Sequence, residues 1–378
     1  MNGIKYIDIL LPFKESFEKK SASAVSLTVY NSFKHSQFKK KIRIFGKKIK
    51  NPFLKNYVSL NTNRILDLGN NISIAKSYLR LNKYSKSLIE IHNRPKIFHY
   101  LYKKTTNPLT IHFHNDPTKM EGSKSTSERK FIAENAASVY FVSNYIKKKF
   151  CLNLNKNYKN LHVIFNGVER KITKKPKKKK IILFVGRLVK DKGINIFLNC
   201  LNNILKSYPD WSINIIGTIK PGYNIENTSF LFKSRTDREG LKIINNINKL
   251  RDKYDNFKFL NFLTNQNVKN LMKKSSILVV PSIWDDPCPL TPIEGLSNGC
   301  VVVSTNRGGI PEIVGKNGII INNINQKKLD KELYSLVSNK KKLNKFLNLS
   351  WLNYKLDIKK FVKIQDNLRQ KIILSNFH

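Results

Sequence analysis

The chain has 378 residues, 40% of them hydrophobic and 11% aromatic, which is enough for two domains that each bury a core. Its 70 Lys and Arg residues against 25 Asp and Glu give a formal net charge of +45. This charge favours contact with nucleic acid or with anionic lipid headgroups. A genome rich in A and T, whose codons favour Lys, Asn and Ile, is a third explanation.

The cysteines and the hydropathy pattern narrow the class of protein further. The four cysteines are scattered without a C-x-x-C pair, which argues against a zinc site or a disulfide framework and fits a reducing cytoplasm. No stretch approaches the roughly 20 apolar residues of a membrane span, so we expect any membrane contact to be peripheral. The opening residues, MNGIKYIDILLPF, predict a buried strand, because a signal peptide needs a longer apolar core.

Short apolar runs, each followed by a helix-like segment, occupy the first part of the chain. They predict strands at residues 6–11, 88–91, 109–113, 139–142 and 162–165. Ser143 and Asn144 predict the N-terminus of a helix at 145–150. Residues 39–55 mix cations with Ile, Phe and Leu, which is typical either of a basic strand and loop or of a membrane-surface segment.

A Lys-rich stretch with a proline, TKKPKKKK at residues 173–180, predicts a linker between domains. Lys178 within it is expected to be a solvated position whose loss has little effect. Strands are then predicted at 181–185, 212–216, 257–262, 277–280 and 301–304, with a helix at 194–206. Strands that alternate with helices predict parallel sheets covered on both faces.

The sequence therefore predicts an α/β fold of two doubly wound domains. The expected divisions are an N-terminal domain at 1–172, a linker at 173–180 and a C-terminal domain at 181–350. A helical tail at 351–378 follows, for which packing against the N-terminal domain is one expectation. Ligands of such folds bind beyond the carboxyl ends of the strands, so the loops there are expected to carry the chemistry.

The loop after strand 181–185 is basic. Gly186 permits a tight exit from the strand, and Arg187 and Lys192 place two cations at the edge of the sheet. The N-terminus of the following helix adds positive potential. The loop therefore suits a diphosphate; a solvated basic loop is the alternative.

The loop after strand 277–280 is rich in proline and acidic residues, PSIWDDPCPLTPIEG at 281–295. Asp286 and Glu294 could bind sugar hydroxyls, while free backbone N–H groups at the helix start meet phosphate. The alternative for Glu294 is a capping box, with Thr291 as N-cap and Pro292 as the first helical residue. After strand 301–304, the pair Gly308-Gly309 allows close approach of the backbone to a ligand.

These three loops resemble those of the family 4 glycosyltransferases, retaining enzymes of the GT-B fold. The family's C-terminal domain carries a G-R-x(4)-K-G loop, a P-S-x(3)-E-P-x(2)-L-x(3)-E block and a G-G-x-P-E turn. Residues 186–193, 281–295 and 308–312 match them in this order, and Asn166-Gly167-Val168 matches the usual close of the N-terminal domain. The resemblance implies two Rossmann-like domains that face a central cleft.

The resemblance also implies roles for residues of the C-terminal domain. Arg187 and Lys192 would neutralise the donor diphosphate and act in catalysis, and Glu294 would bind the ribose hydroxyls. Asp286 would bind the transferred sugar; Glu is usual there, so the shorter side chain leaves the identity of the sugar open. The backbone of three further residues would contact sugar and phosphates: Pro289, Leu290 and Thr291.

In the N-terminal domain, the family often places a catalytic histidine at the end of the strand at 109–113. His114 is the expected match, and His112, on the same face of the strand, is the alternative. The preceding strand ends in residues expected on the acceptor side: Glu90, His92, Asn93 and Arg94. The glycine-rich loop common after the first strand is replaced by ESFEKKSASA at residues 15–24.

The implied activity is transfer of a hexose from a nucleoside diphosphate sugar, with retention, to a glycan or lipid-linked acceptor in cell-surface polysaccharide or lipopolysaccharide synthesis. Such an enzyme is expected in the cytoplasm, or peripheral on the inner face of the membrane, with an anionic membrane surface as partner. We expect no cofactor and no metal, because Arg187 and Lys192 supply positive charge and the sequence shows no metal-ligand cluster.

Three alternatives differ from this interpretation. The first is a transferase of the same fold with a soluble acceptor, such as a glucan or a sugar phosphate. The second is a nucleic-acid-binding protein, which rests on charge alone, since no specific nucleic-acid motif is present. The third is a hydrolase that uses Asp286 and Glu294 as paired carboxylates, in which the phosphate-binding loop would have no purpose.

Overall fold

The computed structural model describes residues 5–18, 22–62, 71–219 and 235–377. The chain forms two compact units. The first unit comprises Met1–Gly167 together with Ile358–His378, and the second unit comprises Val168–Asp357. The first division thus falls after Gly167 instead of residue 172, and the stretch 173–180 lies within the second unit. Residues 358–378 return to the first unit.

The first unit is built on a seven-stranded sheet in the order β3-β2-β1-β4-β5-β6-β7, with every neighbouring pair parallel. Its strands are β1 (Tyr6–Leu10), β2 (Ile42–Lys47), β3 (Tyr57–Leu60), β4 (Ser87–His92), β5 (Leu109–Phe113), β6 (Ser138–Phe141) and β7 (Leu161–Val163). The α-helices described within residues 1–167 are α1 (Ala24–His35), α2 (Asn71–Asn82), α3 (Pro95–Tyr102), α4 (Thr126–Asn135) and α5 (Asn144–Phe150). The strand order reverses between β1 and β4, the topological switch point of a doubly wound sheet.

The strands predicted in this unit are confirmed, and Ser143 is the N-cap of α5, where its side chain accepts a hydrogen bond from the N–H of Ile146. Strands β2 and β3 were not specified. The membrane-surface interpretation of residues 39–55 is wrong, because β2 pairs with β1 on one side and β3 on the other. Its side chains Ile42, Ile44 and Phe45 are at most 2% exposed. The alternative, a basic strand and loop, is confirmed.

The second unit is built on a six-stranded parallel sheet in the order β10-β9-β8-β11-β12-β13. Its strands are β8 (Lys179–Val185), β9 (Ser212–Ile216), β10 (Phe257–Phe259), β11 (Ser275–Val280), β12 (Val301–Thr305) and β13 (Ile319–Ile321). The α-helices described in this unit are α6 (Ile194–Asn199), α7 (Leu201–Ser207), α8 (Arg235–Lys253), α9 (Asn265–Lys274), α10 (Leu290–Ser297), α11 (Ile310–Val314), α12 (Gln326–Ser338) and α13 (Lys340–Leu352). The five predicted strands are confirmed, β13 was not specified, and the predicted helix 194–206 is interrupted at Cys200.

The last helix, α14 (Ile358–Phe377), joins the first unit through a buried cluster of charges. Arg369, 1% exposed, donates to both carboxylate oxygens of Glu90 on β4, at 2.8 and 2.7 Å. It also donates to Asp366 at 2.8 Å. Asp366 accepts from the Ser36 hydroxyl and the Gln37 backbone N–H just after α1. Burial opposes the charge of Arg369, but the two carboxylates outweigh it and raise the pKa of the guanidinium.

Among the described residues, none of the helices has the length and apolar character that would let it cross a bilayer.

We predict that Arg369→Ala lowers the free energy of unfolding of the first unit by about 3–5 kcal/mol, because it leaves two buried carboxylates without their cation. Chemical denaturation of the full chain, followed by fluorescence and circular dichroism, measures this change. Arg251→Ala is the matched control: Arg251 is exposed and pairs with the exposed Asp252, so its loss should leave the transition unchanged. Equal effects of the two substitutions would contradict a structural role for the cluster.

Candidate functional site

Three loops of the second unit converge at the carboxyl ends of β8, β11 and β12, which are neighbours in the sheet. The loop after β8 meets the loop after β11 where the Ile283 N–H donates to the Asp191 carbonyl at 3.0 Å and the Ser282 hydroxyl donates to the same oxygen at 3.1 Å. The loop after β12 joins them where the Gly309 N–H donates to the Asp286 carbonyl at 2.8 Å. Parallel strands place these loops together at the switch point between β8 and β11.

Glycine is required at two of these junctions. Gly193 has φ +71°, and a Cβ there would lie 1.8 Å from the carbonyl oxygen of Pro281. Gly308 has φ +54°, and its Cβ would lie 2.3 Å from the carbonyl oxygen of Asp286. The close approach predicted for Gly308 therefore exists, but its partner is the neighbouring loop, whereas the sequence predicted a ligand.

Lys192 and Asp286 form an ion pair between two of the loops, with Nζ 2.6 Å from a carboxylate oxygen. Both side chains are largely buried, 24% and 13% exposed. The Lys192 ammonium also lies 5.6 Å from the centre of the Trp284 ring. Arg187, at the end of β8, is exposed to solvent. The site therefore holds two cations: Lys192, which lies beside a carboxylate and an indole ring, and Arg187, which is exposed to solvent.

Sequence reasoning gave Trp284 no role; in the structure its side chain is 44% exposed and lies near the Lys192 ammonium. The Trp284 ring and the Lys192 ammonium lie next to each other where the loops after β8 and β11 meet.

Glu294 lies on α10, and its carboxylate accepts no hydrogen bond from the residues that the structure describes. Burial raises its pKa to about 7, and the charge of Lys269 offsets only part of that effect. A carboxyl group in this state changes its charge near neutral pH and keeps its oxygens free for hydroxyl donors.

The capping-box alternative for Glu294 is wrong. Helix α10 begins at Leu290, and its N-cap is Pro289, which makes no side-chain capping bond. Thr291 therefore lies inside the first turn. The first N–H groups of a helix have no partner within it, so the backbone of Leu290 and Thr291 offers donors to an anion.

The expectation that Lys178 is a solvated linker residue is also wrong. Its ammonium donates to the carbonyls of Met272 and Asn298, at 3.0 and 2.7 Å, and burial lowers its pKa. These carbonyls lie in the last turn of α9 and directly after α10, where a cation offsets the negative end of each helix. Lys178 therefore supports the helix that carries Glu294, whereas Lys177 beside it is exposed.

In the first unit, the register of β4 and β5 places His92 opposite His112. Their rings stack with centres 4.3 Å apart, and His114 stacks on His92 at 5.1 Å. Nδ1 of His92 lies 2.9 Å from Nε2 of His114. Burial, together with the neighbouring charges, lowers the pKa of all three well below the usual value. His112 and His114, the two candidates for the catalytic histidine, therefore belong to one cluster of neutral imidazoles.

The residues expected on the acceptor side divide into three kinds. Glu90 is fully buried, and both of its carboxylate oxygens accept hydrogen bonds from Arg369. Asn93, with φ +56° and 3% exposed, accepts from the His114 N–H at 2.8 Å and holds the ends of β4 and β5 together. Arg94 borders an open pocket of about 450 Å³ that Lys96 and Lys119 also line.

The segment 15–24 after β1 is only partly described, since residues 19–21 lie outside the described residues. The Glu15 carboxylate accepts from the hydroxyls of Ser23 and Ser26 at the start of α1. Burial raises the pKa of Glu15, against the opposing effects of the hydrogen bonds from Ser26 and of the Arg94 charge.

Comparison with known proteins finds glycosyltransferases among those to which this chain is similar. Residues 166–348 match the family described as glycosyl transferases group 1. Spore coat protein SA of Bacillus subtilis (strain 168) is 26% identical over 285 residues, which cover 69% of this chain and 72% of that protein.

Solved structures show the same fold. The structure of Anabaena Alr3699/HepE in complex with UDP superposes with a TM-score of 0.74 at 15% identity, over 97% of this chain and 100% of that one. The apo form of the lipopolysaccharide outer core galactosyltransferase WaaB gives a TM-score of 0.67 at 14% identity, over 97% and 99% of the two chains. The predicted GT-B architecture with two Rossmann-like domains is confirmed.

Proposed function

We propose that the protein is a retaining hexosyltransferase, and the match of residues 166–348 to the family described as glycosyl transferases group 1 supports this proposal. It moves a sugar from a nucleoside diphosphate sugar to a glycan or lipid-linked acceptor. The observation that carries the proposal is the convergence of the Lys192, Asp286 and Glu294 segments at the switch point of the second sheet. The UDP complex of HepE supports a nucleotide donor.

The acceptor is proposed to belong to cell-surface polysaccharide or lipopolysaccharide synthesis. The names of spore coat protein SA and of the lipopolysaccharide galactosyltransferase WaaB support this class of product. The formal charge of +45 supports work at an anionic membrane surface on the cytoplasmic side.

The leaving group sets the main chemical demand. As the glycosidic bond breaks, negative charge develops on the diphosphate, and preorganised cations stabilise it. Asp286 and Trp284 hold Lys192 in place. The Lys192 side chain therefore needs little rearrangement to interact with a bound diphosphate. Arg187 adds a planar fork that can grip two phosphate oxygens. The departing phosphate helps to deprotonate the acceptor on the same face of the sugar.

The other donor contacts follow from α10 and the loop before it. The Glu294 carboxylate accepts hydrogen bonds from the ribose hydroxyls, and the N–H groups of Leu290 and Thr291 meet sugar and phosphates, next to Pro289. Asp286 binds hydroxyls of the transferred sugar. In the first unit, His114 is the catalytic group that acts on that sugar, with His92, Asn93 and Arg94 on the acceptor side.

We predict that Glu294→Ala abolishes transfer while the protein stays folded, since the ribose contact is lost. Donor binding should also depend on pH. Ribose hydroxyls favour the ionised carboxylate, so the donor Kd should rise by up to about tenfold per pH unit as the pH falls below 7. Calorimetry without acceptor measures this, with the donor chosen by a thermal-shift screen of UDP-, GDP- and ADP-sugars.

Glu294→Gln is the matched control, because an amide of the same shape cannot ionise. Its donor Kd should stay constant over this pH range. A pH dependence that survives in Glu294→Gln, or an Ala variant within about tenfold of the original activity, a loss of only about 1.4 kcal/mol, would contradict the ribose-binding role.

The two cations are tested by substitution. Arg187→Lys keeps the charge but loses the fork, so activity should fall about tenfold or more. Lys192→Ala should lower kcat more than it raises the donor KM, because its partner gains charge in the transition state. Lys177→Ala, an exposed lysine of the same unit, should be nearly silent. If Lys177→Ala and Lys192→Ala behave alike, the loop is only a solvated basic surface.

Transfer is proposed to need no divalent metal for departure of the diphosphate. Steady-state activity should survive excess EDTA, since Arg187 and Lys192 supply the positive charge. If EDTA abolishes transfer activity and Mg²⁺ or Mn²⁺ restores it, Arg187 and Lys192 are not sufficient to stabilise the leaving group.

The class of acceptor is tested by partition. With a lipid-linked acceptor, the protein should pellet with vesicles rich in phosphatidylglycerol and not with neutral vesicles. About 1 M NaCl should release it, because salt screens surface charge. Transfer to the vesicle-embedded acceptor should fall in parallel with release. A protein that stays in the supernatant at low salt, yet glycosylates a glucan or sugar phosphate, uses a soluble acceptor instead.

A further inference from the structure

The ring of His114, the proposed catalytic histidine, is held by a residue at the end of the neighbouring strand. Nδ1 of His92 lies 2.9 Å from Nε2 of His114. The ring centres are 5.1 Å apart and the ring planes differ by 18°, which is close to the longest separation that this contact between two ring nitrogens allows. The two nitrogens therefore point at each other along the line between the centres, the direction that a strong hydrogen bond prefers.

The same turn also holds the backbone of His114. The His114 N–H donates to Oδ1 of Asn93 at 2.8 Å, and the Asn93 N–H donates to the carbonyl of His112 at 2.8 Å. Asn93 has φ +56°, a conformation that asparagine adopts more readily than most residues. Two consecutive residues at the end of β4, His92 and Asn93, thus fix both the ring and the backbone of His114.

This arrangement decides which nitrogen of His114 is left for a ligand. Within the part of the chain that the structure describes, the His114 side chain makes this one hydrogen bond, so its Nδ1 remains. We infer that His92 is a positioning residue: it fixes the ring and the tautomer of His114 and leaves Nδ1 of His114 as the nitrogen that contacts the transferred sugar. This inference rests on the proposed function, in which His114 acts on that sugar.

His92 acts through His114 because its own surface is closed. The residue is 4% exposed. The ring of His112 covers one face of it, with centres 4.3 Å apart and planes 9° apart. The nitrogens of these two stacked rings point along parallel planes, so His112 cannot replace His114 as the partner of Nδ1.

The shared hydrogen bond links the tautomers of the two rings. A neutral imidazole has one N–H and one lone pair, and exactly one proton fits between Nδ1 of His92 and Nε2 of His114. If His92 donates, both rings carry their proton on Nδ1. If His114 donates, both carry it on Nε2. Unlike tautomers would leave two protons or none between the rings.

A fixed imidazole matters for the rate, because a polar group that is already aimed at the reacting sugar needs no rearrangement during the reaction. A misplacement of about 1 Å can lower a rate about a hundredfold. Without His92, the ring of His114 can rotate and exchange tautomers. The donor contacts of Lys192 and Glu294 in the second unit stay the same.

The tautomers are measured by ¹⁵N NMR on the full-length protein, labelled at its histidines and carrying no affinity tag. Protonated and unprotonated ring nitrogens resonate in separate ranges, and spectra of single-histidine variants assign the signals. We expect one tautomer for each ring, with His92 and His114 protonated on the same nitrogen, both Nδ1 or both Nε2. A mixture at His114, or unlike tautomers in the two rings, overturns the inference whether or not the protein transfers a sugar.

Two substitutions of His92 separate the hydrogen bond from the packing. His92→Phe keeps a ring stacked on His112, and the cavity of about 40 Å³ beside His92 gives room for it. It should lower kcat about tenfold or more, leave the donor KM nearly unchanged and give His114 a mixture of tautomers. His92→Asn places an amide near the position of Nδ1, where it can donate or accept. It should recover most of the lost activity and a single tautomer of His114.

His162→Phe is the matched control, since His162 lies on β7 outside the hydrogen-bonded pair, and it should transfer sugar like the original protein. Full activity of His92→Phe, or equal losses in His92→Phe and His92→Asn, would show that the hydrogen bond has no positioning role. If the original protein transfers no sugar from any donor, the proposed function fails, and the tautomers of the original protein still decide whether His92 fixes His114.

Discussion

Glu90 and Arg369 stand 279 residues apart in the chain, and their paired hydrogen bonds close the first unit. Glu90 lies on β4, beside the switch point, so its partner is fixed over the middle of the sheet. The planar guanidinium meets both carboxylate oxygens, a geometry that lysine cannot reproduce. Through Asp366 the same cluster reaches the turn after α1. This contact fixes the position of α14, whose Arg369 lines a cavity that His92 and His112 also border.

In the second unit, the carboxyl ends of neighbouring parallel strands also lie together. Backbone hydrogen bonds connect the loops there, whereas buried charges connect the elements of the first unit. The loops after β8, β11 and β12 contact one another through carbonyl and N–H groups, and Gly193 and Gly308 permit this close approach. Because these contacts are short and directional, Lys192 and Asp286 are brought to one position from loops distant in sequence. Glu294 lies on α10, where burial raises the pKa of its carboxyl group to about 7.

Much of the fold could be predicted because buried parallel strands are continuous apolar runs. Strands β5 and β9 have the predicted bounds, and β1, β4 and β6 differ by one residue at an end or at both. Strand β2 is harder to predict from the sequence, because Arg43, Gly46 and Lys47 interrupt its apolar residues. Its burial also depends on both neighbouring strands. Strand β13 has three residues, too few for a periodic signal.

The sequence by itself determined the class of fold and most of the strands, and it singled out the loops after β8, β11 and β12, because these depend on local patterns of apolar, glycine and charged residues. The tertiary structure decided which side chains meet. Lys178 was expected in solvent and is bound to two helix ends, and Thr291 lies inside a helix that begins at Leu290. Glu90, His92 and His112 form one cluster only through the pairing of β4 with β5 and the docking of α14. Strand register and helix docking are set by the packing of the whole unit, so no local pattern reports them.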